Sequence, residues 1–272
     1  MIQTALDRAW RVLFTGSSFL FFFTGAMILS YVILPLVSAL TRDPVVRGRR
    51  CRRVVRRTWI GFHDYMRWTR LLDYDPRDVR LRLPDGPYML VANHPTLVDV
   101  TALIATVPDA VVVVKRSWVR SFLVGRVIRH CRHIDAGDGG AFSAVGVYEQ
   151  ALAHLAEGTP VLFFPEGTRS PERDLGEFRL GAFQIAARAR VPVVPVLLRC
   201  EPPTLMRGQS WYEIPERTAV LTVEALPQLD ADGRTPAQLA KASREAYLRA
   251  LARAPEPAAT DSTEPIAASS GG

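Results

Sequence analysis

The residues best suited to chemistry begin at Asn93-His94-Pro95-Thr96-Leu97-Val98-Asp99. A histidine with an aspartate five positions on supplies a base and a group that can orient it. Pro95 suits the first position of a helix, which puts His94 in the preceding turn and Asp99 on the first or second helical turn. Along one continuous helix, five positions turn two side chains about 140° apart. With His94 outside the helix, the chain can bend until Asp99 accepts a hydrogen bond from the imidazole. One ring nitrogen is then fixed and the other is free to take a proton. Such a pair needs no Ser or Cys, because a substrate hydroxyl can be the nucleophile. Taken alone, the spacing is equally that of a capping Asp beside a structural His.

A second cluster reads Phe163-Phe164-Pro165-Glu166-Gly167-Thr168-Arg169-Ser170. An apolar run that empties into a Pro-Glu-Gly turn with an Arg and two hydroxyls makes a pocket for an anionic, hydroxylated ligand. Arg169 can hold a phosphate in its fork, and the Gly167 and Thr168 amides can face it. Lys115 ends another apolar run and is either a second phosphate contact or a solvated strand-end charge. His130 and His133 have no third ligand beside them, so no metal site is expected. Gly137-Asp138-Gly139-Gly140 matches no nucleotide-binding pattern, and His63 and His154 suit surface or structural positions.

His94-x4-Asp99, then Phe164-Pro165-Glu166-Gly167-Thr168-Arg169, then Val191-Pro192-Val193-Val194-Pro195-Val196, in this order and spacing, resemble the glycerolipid acyltransferase family. That family includes bacterial 1-acylglycerol-3-phosphate acyltransferases. The resemblance implies His94 as the base, Asp99 as its orienter, and Glu166, Gly167 and Arg169 at the phosphorylated acceptor. It also implies that the strand at 191–196 lines an acyl channel. One departure stands out: Ile134-Asp135 is followed by Ala136, where the family usually has an Arg near the acceptor phosphate. Either Arg132 or Arg129 stands in, or the acceptor is not ordinary lysophosphatidic acid.

These residues need elements to hold them. Strands are expected over 87–92, 111–114, 161–164, 193–198 and 220–223, each short, Val-rich and bounded by Pro, Gly or charge. Helices are expected over 141–157, 180–190 and 236–253. The alternation implies an α/β domain over 73–253, with a mainly parallel sheet flanked by helices. The Pro-, Ala- and Ser-rich segment 254–272 reads as a disordered tail. The stretch Glu201 to Pro215, with Trp211-Tyr212, is either an aromatic lid over the acyl channel or a packed loop.

Residues 1–72 read as an N-terminal membrane helix or helical hairpin followed by a basic amphipathic helix. Val12 to Leu40 carries no charge; as a helix it would reach about 43 Å, against about 30 Å of bilayer hydrocarbon. It either tilts as one span or breaks near Gly25 or Pro35. Eight Arg and one acid between Arg42 and Arg57 give +7, equal to the formal charge of all 272 residues. A belt placed directly after an apolar segment suits anionic lipid better than nucleic acid, with Trp59, Tyr65 and Trp68 at the headgroup level. The same asymmetry puts the downstream domain on the cytoplasmic side of a bacterial inner membrane. Cys51, Cys131 and Cys200, scattered and odd in number, suggest reduced thiols.

The expected activity is a membrane-associated O-acyltransferase with no cofactor. It moves an acyl chain from an acyl-ACP or acyl-CoA thioester to a lysophospholipid hydroxyl, most simply that of 1-acyl-sn-glycerol-3-phosphate. Its expected partners are membrane lipid, the lysophospholipid, and acyl carrier protein or a CoA thioester, with no nucleic acid. Two rivals are the same chemistry on another acceptor, such as a lyso-aminolipid, and a lipid-binding scaffold without catalysis.

Overall fold

A computed structural model describes residues 2–76, 79–170 and 175–253; the tail expected over 254–272 lies outside them. The apolar N-terminus is one long helix, made of α1 (Ile2–Ile28), a π-helical turn (Leu29–Ile33) and α2 (Leu34–Ala39). It passes Gly25 unbroken. The wide π turn falls just before Pro35, where a missing N–H and a bulky ring crowd the preceding turn. Leu6–Ala39 is long and apolar enough to cross a membrane.

The chain doubles back after this helix rather than within it. Asp43 accepts from the Val45 and Val46 amides, each at 2.8 Å, and Pro44 takes the first position of α3 (Pro44–Trp68). Phe21 stacks on Tyr65 and Phe22 on Trp59, with ring centroids 5.5 and 5.6 Å apart. Trp59 and Tyr65 are therefore half-buried against α1, and Trp68 stays exposed. The apolar stripe of α3 is enclosed because it has a neighbour on each side: Phe62 and Met66 join the buried cluster on the sheet, while Cys51 and Val55 pack with Leu29 and Leu34. Even the basic belt is partly interior. Arg52 is 3% exposed, pairs with Asp109 at 2.9 Å and donates to the Cys131 carbonyl at 3.0 Å.

Seven strands follow: β1 (Leu72–Asp75), β2 (Met89–Ala92), β3 (Val111–Val114), β4 (Ile134–Asp135), β5 (Val161–Phe163), β6 (Val193–Glu201) and β7 (Ala219–Ala225). They form one sheet in the order β1-β7-β6-β2-β5-β3-β4, with β6 and β7 the antiparallel pair. The helices between them are α4 (Asp99–Thr106), α5 (Arg116–Val119), α6 (Gly125–His130), α7 (Ala141–Ala156) and α8 (Gly181–Ala189), and α9 (Pro236–Leu251) follows the last strand. Strand alternation feeds two cores. Met89 and Val91 face the layer of α7, α8 and α9, and Leu90 and Ala92 face α3 and α4.

The register does the positioning. Val91 pairs with Phe163 in parallel, so β2 and β5 end side by side, and β3 and β4 end beside them in turn. The segments that follow these four strands, beginning at Asn93, Phe164, Lys115 and Ala136, thus share the carboxyl edge of the sheet. In open α/β sheets this is where a ligand crevice forms. On the other flank of β2, the Tyr247 hydroxyl from α9 sits 2.7 Å from the Val91 carbonyl and 2.9 Å from the Val196 carbonyl. The Asn93 side chain continues the ladder, donating to the Leu198 carbonyl at 3.0 Å and accepting from its amide at 2.7 Å.

Candidate active site

His94 leaves β2 and turns towards the start of α4. Its Nδ1 lies 2.8 Å from Asp99 Oδ2, the contact that the spacing made possible. The helix, however, begins at Asp99 itself and not at Pro95. Thr96 explains why: its amide donates to Asp99 Oδ2 at 2.6 Å and its hydroxyl donates to Oδ1. Those bonds hold 95–98 as a turn, and the Leu97 amide is tied to the Leu205 carbonyl at 3.1 Å. Asp99 is fully buried. Burial pushes its carboxyl above the ordinary range, opposed by the hydrogen bonds from His94 and Thr96; the amino end of α4 also favours its charge. The His94 side chain is 20% exposed. With Nδ1 committed to Asp99, Nε2 is the nitrogen left to accept a proton.

The turn after β5 braces this pair. Ser170 donates its amide to the His94 carbonyl at 2.8 Å and accepts the His94 amide on Oγ at 3.1 Å. The same hydroxyl donates to Glu166 Oε1 at 2.6 Å, and Glu166 Oε2 accepts the Gly176 amide at 2.8 Å. Glu166 is thus buried and occupied on both oxygens. Phe164 lies against the imidazole, ring centroids 4.5 Å apart. Gly167 has φ +69° and donates to the Phe164 carbonyl at 3.0 Å, closing the turn. Arg179 is fixed to this turn twice. Its amide donates to the Pro165 carbonyl at 2.9 Å, and its guanidinium lies where a Gly167 Cβ would need space.

His94 opens into a cavity of about 1220 Å³. Phe19, Phe22 and Trp59 line it from α1 and α3, while Lys115, Gly167, Thr168, Arg169 and Arg179 line it from the strand ends. Its walls are therefore apolar towards the N-terminal helices and cationic towards the sheet. Ala136 lines it too, but neither arginine considered as its stand-in does. Arg132 makes a two-pronged pair with Glu157, both contacts at 2.7 Å, and Arg129 donates to the Val119 carbonyl. The 191–196 strand also lies away from the cavity. It opens β6, a strand between β2 and β7 whose residues 193–198 are buried in the sheet.

Residues 201–215 form part of the cavity wall. Thr204, Leu205, Arg207, Ile214 and Pro215 line it, the Leu205 and Met206 carbonyls accept from Arg169, and Trp211 meets Phe19 edge-on at 6.3 Å. The histidines at 130 and 133 have separate partners: Ser38 Oγ lies 2.7 Å from His130 Nδ1, and the Val112 amide donates to His133 Nδ1. Thr96, Arg179 and the roles of Ser170 and Gly176 went unrecognised in the sequence. Thr96 lies inside the motif, two residues from His94; Arg179 had no local signal beyond following Phe178.

Residues 75–199 match the family model described as Acyltransferase. Among curated relatives, the chain is 32% identical over 168 residues to a 1-acyl-sn-glycerol-3-phosphate acyltransferase of Chlamydomonas reinhardtii, covering 62% of this chain and 49% of the relative. It is 29% identical over 157 residues to the alpha form of that enzyme from Mus musculus, covering 56% and 53%. The chain thus spans about half the length of the curated relatives it matches. Among solved structures it resembles the 1-acyl-sn-glycerophosphate acyltransferase PlsC of Thermotoga maritima, with a TM-score of 0.69 and 20% identity, over 92% of this chain and all of the other. That likeness establishes the fold.

Proposed function

We propose, from the premise that this chain belongs to the glycerolipid acyltransferase family, that it transfers a fatty acyl group from a thioester to the free hydroxyl of 1-acyl-sn-glycerol-3-phosphate, giving phosphatidic acid. The observation that carries this reading is the oriented His94–Asp99 pair opening into a cavity with an apolar and a cationic end. His94 Nε2 takes the acceptor hydroxyl's proton as the oxygen attacks the thioester carbonyl carbon. The tetrahedral intermediate collapses by breaking the carbon–sulfur bond, and the imidazolium returns its proton to the departing thiolate. No acyl-enzyme forms. The Gly167 amide is committed within its turn, whereas the Thr168 amide has no hydrogen-bond partner among the described residues and is the turn donor available to the oxyanion. Lys115 and Arg169 face the acceptor phosphate, and Glu166 acts from behind by holding Ser170 against His94.

The N-terminal helix binds the membrane lying in its plane. What supports this is the spread of its ties to the domain: Trp10 to the Thr69 carbonyl, Ser17 to Tyr65, Ser30 to the Leu123 carbonyl and Ser38 to His130. Those anchors extend over about 42 Å at the helical rise, leaving no free segment the thickness of a bilayer. Leu13, Leu20, Ile28, Val32, Leu36 and Leu40 are exposed along its outer side. Immersed there, the helix sets the cavity beside both lipid substrates, with the catalytic domain on the cytoplasmic face of a bacterial inner membrane.

The test is thiol release by the purified protein from acyl-CoA and from acyl carrier protein thioester, with and without lysophosphatidic acid. Acceptor-dependent release that falls at least about 100-fold in His94→Ala is the expected result. Release that ignores the acceptor, or survives the substitution, overturns it. Ala136 favours a second reading, the same transfer to a lyso-lipid without a phosphomonoester, which the same assay separates by exchanging the acceptor.

A further inference from the structure

The cations around the cavity are not equivalent. Arg116 is held by Asp135 and Asp138, and Arg132 by Glu157. Arg169 faces the cavity, but its Nη1 donates to the Leu205 and Met206 carbonyls, so part of its fork is already used. Lys115 offers a point charge. Arg11 is held by Asp7 and the Arg70 carbonyl, and Arg207, exposed and without a side-chain partner among the described residues, lies in the 201–215 segment rather than on the Gly167 turn. Arg179 differs from these in where it is held. It lines the cavity, is exposed, and its side chain has no carboxylate or carbonyl partner among the described residues. Its position is nonetheless defined: the backbone is bonded to Pro165, and the guanidinium rests on the bare Cα side of Gly167, in the turn that follows Phe164 and faces His94.

We propose that Arg179 is the principal phosphate-binding guanidinium of the acceptor site and selects acceptors bearing a phosphomonoester; this rests on the lysophosphatidate reading above. A phosphomonoester carries nearly two negative charges and three strong acceptor oxygens, which a free guanidinium can engage with two parallel N–H donors. An arginine whose donors are otherwise unpaired gains those bonds without giving up internal ones. Gly167 is part of the device. Its turn needs a positive φ, and any side chain there would enter the space of the Arg179 guanidinium. Because Arg179 is exposed, its substitution leaves both cores intact.

Two measurements on the full chain in mixed micelles test this. In steady-state kinetics Arg179→Ala raises KM for lysophosphatidic acid about 10- to 100-fold and changes kcat less than about threefold, as expected for two charge-assisted hydrogen bonds, with Arg179→Lys in between. In the wild type, lysophosphatidic acid protects the Arg179 peptide from phenylglyoxal, read by mass spectrometry, and monoacylglycerol does not. An unchanged KM, a loss confined to kcat, or no protection by lysophosphatidic acid overturns the proposal. Protection without acyl transfer by the wild type would leave Arg179 as a phosphate ligand and sink the lysophosphatidate transfer instead. Transfer without protection would do the reverse.

Discussion

In the proposed reaction Asp99 acts only through His94. Its two carboxylate oxygens accept from the imidazole, the Thr96 amide and the Thr96 hydroxyl, and it is completely buried. An amide at this position can keep its oxygen for the imidazole and the Thr96 amide and give its N–H₂ to the Thr96 hydroxyl, but it removes the negative charge beside the imidazole, so Asp99→Asn keeps the shape and weakens the base. We expect kcat to fall about 10²- to 10⁴-fold with KM within about threefold; a kcat loss below threefold, read by thiol release at saturating acceptor, would rule out the orienting role. The pair was legible because it is local: five positions and one turn bring base and orienter together. The parts that stayed hidden are held from a distance. Glu166 was expected at the acceptor, but its oxygens go to Ser170 and Gly176, and no spacing rule ties residue 166 to residue 176. Arg179 was hidden for the same reason, since its tie to Pro165 joins residues 14 apart in sequence.

The strands that carry the site were readable as Val-rich runs, and 111–114 agrees residue for residue with β3. β1 and β4 were not readable. Leu72-Asp73-Tyr74-Asp75 alternates acids with apolar residues at the rim of the sheet, and β4 is two residues long, so neither carries a hydrophobic run. Short elements of this kind are fixed by what packs on them, and two histidines show how closely. His63 on α3 meets Thr101 of α4 at 3.1 Å, and His133, just before β4, accepts the Val112 amide of β3 on Nδ1. Burial pushes His63 down to about 4; burial, with Arg52 and His154 nearby, pushes His133 down to about 3. Both folded values lie below the usual 6.5 or so of an unfolded histidine. The unfolded chain therefore takes up protons that the folded chain refuses. This contribution to stability is complete above about pH 6.5 and is lost as pH falls towards 4, at about 1.4 kcal/mol per pH unit for each histidine. Urea unfolding at pH 7 and pH 5 should differ by about 2 kcal/mol per group. His133→Asn, which keeps an acceptor near the Val112 amide without titrating, should flatten the acid side by roughly that amount. An unaltered slope would mean that His133 is protonated in the folded state.

At the scale of the molecule, the unresolved choice in the sequence was between a spanning segment and an interfacial one. Hydropathy cannot make it, because both readings rest on the same uncharged stretch, 12–40. Packing can. A spanning helix must be clear of the water-facing domain for about 30 Å, while this one is tied to the domain at Trp10, Ser17, Ser30 and Ser38. The same packing redefines the basic belt. Arg52 is interior, and Arg49, Arg50, Arg53 and Arg57 remain exposed on α3, beside the helix whose outer side is apolar. In the proposed in-plane arrangement, apolar insertion and attraction to anionic lipid act on one surface of the molecule. An in-plane helix has both of its ends on the same side of the membrane. Cys51, Cys131 and Cys200 are all buried, so single cysteines placed at the exposed positions Arg8 and Arg42 report those ends separately. In sealed vesicles presenting the catalytic domain outwards, a membrane-impermeant maleimide should label Arg8→Cys and Arg42→Cys to the same extent before detergent is added. Labelling of Arg42→Cys alone, with Arg8→Cys reached only after detergent, would mean that the helix crosses the bilayer and that its ties to the domain come apart in the membrane.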